Sequence, residues 1–174
     1  MQVALLTEAN ASQYRSLMLH AYEHAPDAFT STPEERATQP VGWWLKRIAD
    51  PAGMTAAFGA FEEGELVGSV ALEFTSKPKT QHNALVIGMY VLPQCRGKGA
   101  ARALLQAAID ACNTRGNIRT MKLTVTQGNE AAIGLYRTSG FEVFGTEPMA
   151  ILTPSGFKAK VHMWRHCASG NTAA

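Results

Sequence analysis

The sequence predicts an α+β fold, a central mixed, mostly antiparallel twisted sheet of about seven strands with helices on both faces. Three observations carry this. The hydrophobic period switches repeatedly between the helical 3.6 and the strand value of 2 along the chain. Residues 56–61 and 66–74 are separated only by Glu62-Glu63-Gly64-Glu65, a connection so short that the two strands must pair antiparallel. The run 84–92 (Ala-Leu-Val-Ile-Gly-Met-Tyr-Val-Leu) is apolar at odd and even positions alike, as a central strand covered on both sides should be.

The elements follow in order. Residues 3–6 form a short apolar strand; after Asn10-Ala11-Ser12, Tyr14, Leu17, Met18 and Ala21 recur at helical spacing up to Pro26. A second, shorter helix carrying Trp43 and Trp44 is expected before Pro51, ending near Ile48 or Ala49. The hairpin and the central strand come next, and Pro93 ends the latter. Ala101, Leu104, Leu105, Ala108, Ile109 and Cys112 then make the stripe of a helix lying on a sheet, with Gly116 as its stop. Met121, Leu123 and Val125 alternate with polar residues; Asn129 is a good N-cap for a helix to Ser139, which Gly140 ends. Strands at 141–145 and 158–164 close the fold, with a loop at 146–157 between them.

With 174 residues, 46% of them apolar, one domain over residues 1–167 is expected, followed by a flexible C-terminal tail at 168–174. Sixteen basic against fourteen acidic residues leave a charge of only +2, so no field steers the protein onto nucleic acid or an anionic membrane. Cys95, Cys112 and Cys167 are odd in number and widely spaced, which fits neither a disulfide framework nor a zinc site. Residues 1–10 lack a signal-peptide pattern and no stretch approaches a membrane span. The expectation is a cytoplasmic protein.

The most informative segment is Gln94-Cys95-Arg96-Gly97-Lys98-Gly99-Ala100-Ala101-Arg102, a glycine turn entering a helix. Such a turn aims unpaired backbone N–H groups and the positive end of the helix dipole at one spot, which suits phosphate. Gly97 and Gly99 permit close approach, while Arg96, Lys98 and Arg102 place charge at the rim. A Walker A loop is excluded, because Lys98 is followed by Gly99 rather than a magnesium-binding hydroxyl. A dinucleotide turn is disfavoured, because Arg102 holds the third-glycine position and an antiparallel hairpin precedes it.

The remaining pattern, Arg/Gln-x-x-Gly-x-Gly/Ala, is met by residues 96–101 and, in an earlier frame, by Gln94-x-x-Gly97-x-Gly99. Here the chain resembles the GNAT superfamily of N-acetyltransferases. Residues 91–105 look like its coenzyme-A-binding segment, which favours the Arg96 frame, and residues 125–141 (Val-Thr-Gln-Gly-Asn-Glu-Ala-Ala-Ile-Gly-Leu-Tyr-Arg-Thr-Ser-Gly-Phe) look like its second segment. The similarity covers about residues 66–144. It implies a GNAT-like acyl-CoA N-acyltransferase fold, with acetyl-CoA as cosubstrate and no metal. Backbone N–H groups near Tyr90 and Val91 would bond the acyl carbonyl and the pantetheine arm. Asn129 would contact the coenzyme, and Tyr136 would stand beside the departing sulfur. Seven positions apart is about two helical turns, so Asn129 and Tyr136 share a face. A phenol pKa near 10 against a thiol near 8.5 makes full proton transfer uphill by roughly 2 kcal/mol, which casts Tyr136 as a hydrogen-bond donor to sulfur.

Acetyl would pass directly to a primary amine of a small molecule, amino acid or peptide. Glu73 is the candidate base, acting directly or through water. The alternative is a catalytically idle acetyl-CoA-binding sensor or protein-interaction module. The acceptor is left open; Tyr22, Phe29, Trp43, Trp44, Glu73 and the 146–157 loop are the regions expected to define it, although the two tryptophans fit core or a homodimer surface better. Neither His20 and His24 nor His162 and His166 establish a metal site. Cys95 is read as incidental, since transfer is direct.

Overall fold

The computed structural model describes residues 1–167, so the expected tail at 168–174 lies outside the described residues. The elements are β1 (Gln2–Leu5), α1 (Ala11–His24), α2 (Pro33–Ala37), α3 (Val41–Ile48), β2 (Thr55–Glu62), β3 (Glu65–Phe74) and β4 (Asn83–Val91). There follow α4 (Ala100–Thr114), β5 (Thr120–Thr126), α5 (Glu130–Thr138), β6 (Glu142–Thr153) and β7 (Gly156–His166). Among the described residues seven strands form one sheet in the order β1-β2-β3-β4-β5-β7-β6, and β4 and β5 pair in parallel.

The two faces of β3 divide the core. Val67, Val70 and Leu72 pack under α4 with Leu104, Leu105, Ala108 and Ile109. Leu66 and Ala71 face the other way, against Tyr14, Leu17 and Met18 of α1 and Trp44 and Ile48 of α3. Trp44 is therefore core, with its ring edge-on to Tyr14. Its truncation to alanine would cost about 3–5 kcal/mol.

Two features differ from expectation. The stretch before Pro51 holds two helices rather than one; the extra turn, α2, starts at Thr32, whose Oγ1 accepts the Glu35 N–H at 3.2 Å, and has Pro33 at its first position. Residues 146–153, expected as loop, continue β6 to Thr153 and pair with β7 through register shifts at Val143/Gly145 and Glu147/Ile151. An edge strand with both faces largely exposed has no reason to alternate, and the positive φ of Met149 breaks the pattern further.

The feature that positions the site is a split in the sheet. β4 and β5 pair only where Asn83, Ala84 and Leu85 meet Thr120, Met121 and Lys122. The β3–β4 register also shifts between Ser69 and Ala71, opposite Gly88, which takes φ +60 and whose carbonyl accepts the Ser69 hydroxyl at 3.2 Å. This bulge bends β4 away and leaves its C-terminal half without a partner on the β5 side. Among the described residues no helix is long and apolar enough to cross a membrane.

Candidate active site

The split leads into the glycine turn. Val91 is followed by a single helical turn at Pro93–Cys95, and Gly97 and Gly99 then take φ +77 and +85, the left-handed region where a side chain is strained. A β-carbon at either would meet open space, so their backbone geometry, more than close approach, requires glycine. Among the described residues the amides of Gly99, Ala100, Ala101 and Arg102 donate no hydrogen bond. These four orphans at the start of a fifteen-residue helix leave an end suited to an anion.

The basic residues around it divide. Arg96 donates its Nε to the Val91 carbonyl at 3.0 Å, stands 5.7 Å from the Tyr90 ring, and borders the groove between β4 and α5. Arg102 is exposed on the first turn of α4 and forms no ion pair among the described residues. Lys98 instead donates to Glu62 at 2.9 Å and borders neither cavity described below. Its bond is the main cause of the Glu62 carboxyl lying below its ordinary range. The buried Cys95 thiol also donates to Glu62, at 3.4 Å, and burial pushes its pKa up, which suits an inert thiol.

The β4 backbone narrows the choice of amide. Leu92 N–H donates to the Val67 carbonyl at 2.9 Å, so the two-residue alternation of an antiparallel ladder turns Leu92 and Tyr90 toward β3. Val91, and Met89 before it, face the side β5 has left. The Tyr90 ring is buried under α1, where its hydroxyl meets His20 Nδ1 at 3.1 Å. His20 stacks on His24 at 4.0 Å, and among the described residues no three His, Cys, Asp or Glu side chains gather as metal ligands.

Two cavities converge here. A groove of about 310 Å³ runs between β4 and α5 and reaches Arg96 and Ala101 at the glycine turn. A second cavity, of about 380 Å³, is lined on the far side by Tyr22, Arg36, Arg47, Glu73, Thr124 and Lys160. Ala28, Phe29, Met89, Asn129, Ala132 and Tyr136 border both. Asn129 caps α5, its Oδ1 accepting the Ala132 N–H at 3.3 Å, so it serves as cap and wall together. Tyr136 is 6% exposed and edge-on to Phe141; its hydroxyl makes no hydrogen bond to any described residue, and burial pushes its pKa up to about 12. Glu73 enters the second cavity from β3, 3.8 Å from an Arg47 terminal nitrogen. Phe29 was expected in the acceptor region, whereas Met89, Arg36, Arg47 and Lys160 carry no functional signal in the sequence. Only the tertiary fold brings them together.

The fold and the orphan amides define a class. Residues 15–141 match the model of the Acetyltransferase (GNAT) family, and the chain belongs to that family. It is 30% identical over 103 residues to L-amino acid N-acetyltransferase AaaT of Escherichia coli, a match spanning 59% of this chain and 62% of that protein. It is 42% identical over 60 residues to L-methionine sulfoximine/L-methionine sulfone acetyltransferase of Pseudomonas aeruginosa, covering 34% of each. Among solved structures, a GCN5-related N-acetyltransferase from Kribbella flavida superposes with TM-score 0.80 at 25% identity, over 95% of this chain and 96% of that one.

Proposed function

We propose that the protein is an acetyl-CoA-dependent N-acetyltransferase that moves acetyl directly to a primary amine. The observation that carries this reading is the meeting of the two cavities at Tyr136, one leading from an anion-binding helix end and the other lined by charged side chains. The residues fit coenzyme A: the Gly99–Arg102 amides with Arg96 and Arg102 suit its pyrophosphate, and the Val91 amide suits the pantetheine arm. Acetyl-CoA supplies an activated acyl group as a thioester.

Acyl transfer to an amine develops negative charge on the carbonyl oxygen and then on the sulfur. The outward β4 amide near Met89 stabilises the first charge, while that of Val91 holds the pantetheine arm. Tyr136 donates its unpaired hydroxyl to the second. With its pKa pushed up to about 12, full proton transfer to a thiolate is uphill by about 5 kcal/mol, so Tyr136 acts as a donor that keeps its proton until the C–S bond is breaking. Glu73, on the acceptor side, takes the amine proton directly or through water. Asn129 holds the start of α5 and the wall shared by both substrates.

A panel of primary amines with acetyl-CoA, followed by thiol release, tests this. Amine-dependent release is expected. Tight acetyl-CoA binding with no release for any amine would favour a coenzyme-binding module in its place.

A further inference from the structure

Resting on that reading, we propose that the acceptor is a free amino acid, and that the cationic wall of the second cavity recognises its carboxylate. Arg36, Arg47 and Lys160 line this cavity against the single carboxylate of Glu73. The surplus positive charge lies in a concave, partly desolvated space, where it acts more strongly than on an open surface. A polyamine or a protein lysine would bring only more positive charge to it. A zwitterion brings one group for Glu73 and another for the cations. Met18, Tyr22 and Val86 leave apolar wall beside them for a side chain.

The two guanidiniums are held in place, and each meets a carboxylate only at long range. Both sit against one ring, their central carbons 4.6 and 4.7 Å from the Trp43 centroid. Arg36 uses its Nε on the Ser31 hydroxyl at 2.8 Å, and its terminal nitrogen is 3.7 Å from the exposed Glu35. Arg47 approaches no carboxylate among the described residues but Glu73, at 3.8 Å; it also lies beside the Tyr14 phenol, and its Nε is buried without a hydrogen-bond partner among the described residues. Lys160 donates to the neutral Thr30 hydroxyl at 3.2 Å; burial lowers its pKa, opposed in part by Glu147, its cross-strand neighbour, whose carboxylate sits 3.0 Å from His162, and an incoming carboxylate would offset the remaining cost. The neighbouring Lys158 is already paired with Asp27 and is not part of the surplus.

The test compares the standard amino acids with their α-amides as acceptors, by thiol release from acetyl-CoA. An amide's amine is the weaker base and more fully neutral at pH 7, so intrinsic reactivity favours the amide. The proposal expects the reverse, a kcat/KM preference of about tenfold or more for at least one free acid. Arg36→Gln and Arg47→Gln should bring that ratio toward unity, while Arg47→Lys, which keeps the charge and serves if the glutamine variant does not fold, should retain part of it. Amides turned over as well as acids would overturn the carboxylate inference and leave acetyl transfer standing. No release with any amine would defeat the transferase reading; equilibrium binding of L-leucine and L-leucinamide to the CoA-loaded protein then decides, and equal or absent binding overturns the inference.

Discussion

Asn129 and Tyr136, at the two ends of α5, point the same way, and each borders both the groove and the second cavity. Seven residues of helix thus set the spacing between the Asn129 wall of the groove and Tyr136, the proposed donor to sulfur. If that donor acts only as charge develops, Tyr136→Phe should lower kcat about 100-fold and leave the acetyl-CoA Kd within a few-fold. Steady-state kinetics with binding calorimetry measures both, and an unchanged kcat removes the role.

The glycine turn carries charges with different duties. Arg96 borders the groove, whereas Lys98 is engaged by Glu62. Arg96→Ala should raise the KM for acetyl-CoA about tenfold, and Lys98→Ala by less than about threefold. A larger effect from Lys98 would mean that its ion pair with Glu62 opens when the coenzyme binds.

Gly99 takes φ +85 with open space where a β-carbon would lie. Gly99→Ala should therefore destabilise through backbone strain alone, by about 1–2 kcal/mol, lowering Tm by about 2–8 °C. The KM for acetyl-CoA should rise more than the KM for the amine. Thermal unfolding and paired substrate titrations check the two parts separately.

Tyr14 and Tyr136 are both pushed up to about 12, chiefly by burial, with Arg47 opposing the shift at Tyr14. An unfolded phenol ionises near 10, so between about pH 10 and 12 the native state holds more protons than the unfolded one. The stability these groups contribute is fully present below pH 10 and is lost as pH rises through 12. Urea midpoints should fall over that window, less steeply in Tyr14→Phe. Because the Tyr14 hydroxyl is buried without a hydrogen-bond partner among the described residues, that variant should be near neutral or stabilising at pH 7.

Much of this was legible before the fold was known. The α4 stripe from Leu104 to Cys112, the Asn129 cap and the β2–β3 hairpin are local patterns, and local patterns survive folding. The α2 turn was missed although Thr32-Pro33-Glu34-Glu35 carries a capping signature, because five residues give no period to read. Residues 146–153 were misread as loop because an edge strand buries little. The partner of Lys98 lies 36 positions away, and the cationic wall draws on α2, α3 and β7, so neither could be read from spacing. The alternation that selects Val91 over Tyr90 depends on a β3–β4 register fixed only in the folded sheet.

Direct transfer between cavities that meet at Tyr136 is the central claim, and one experiment tests it most directly. The protein is mixed with acetyl-CoA, with and without a reactive amine, and thiol, acetylated amine and intact protein mass are followed together. Direct transfer predicts one acetylated amine per thiol released, negligible release without amine, and unchanged protein mass. Amine-independent release, or an acetyl group accumulating on the protein itself, would contradict it.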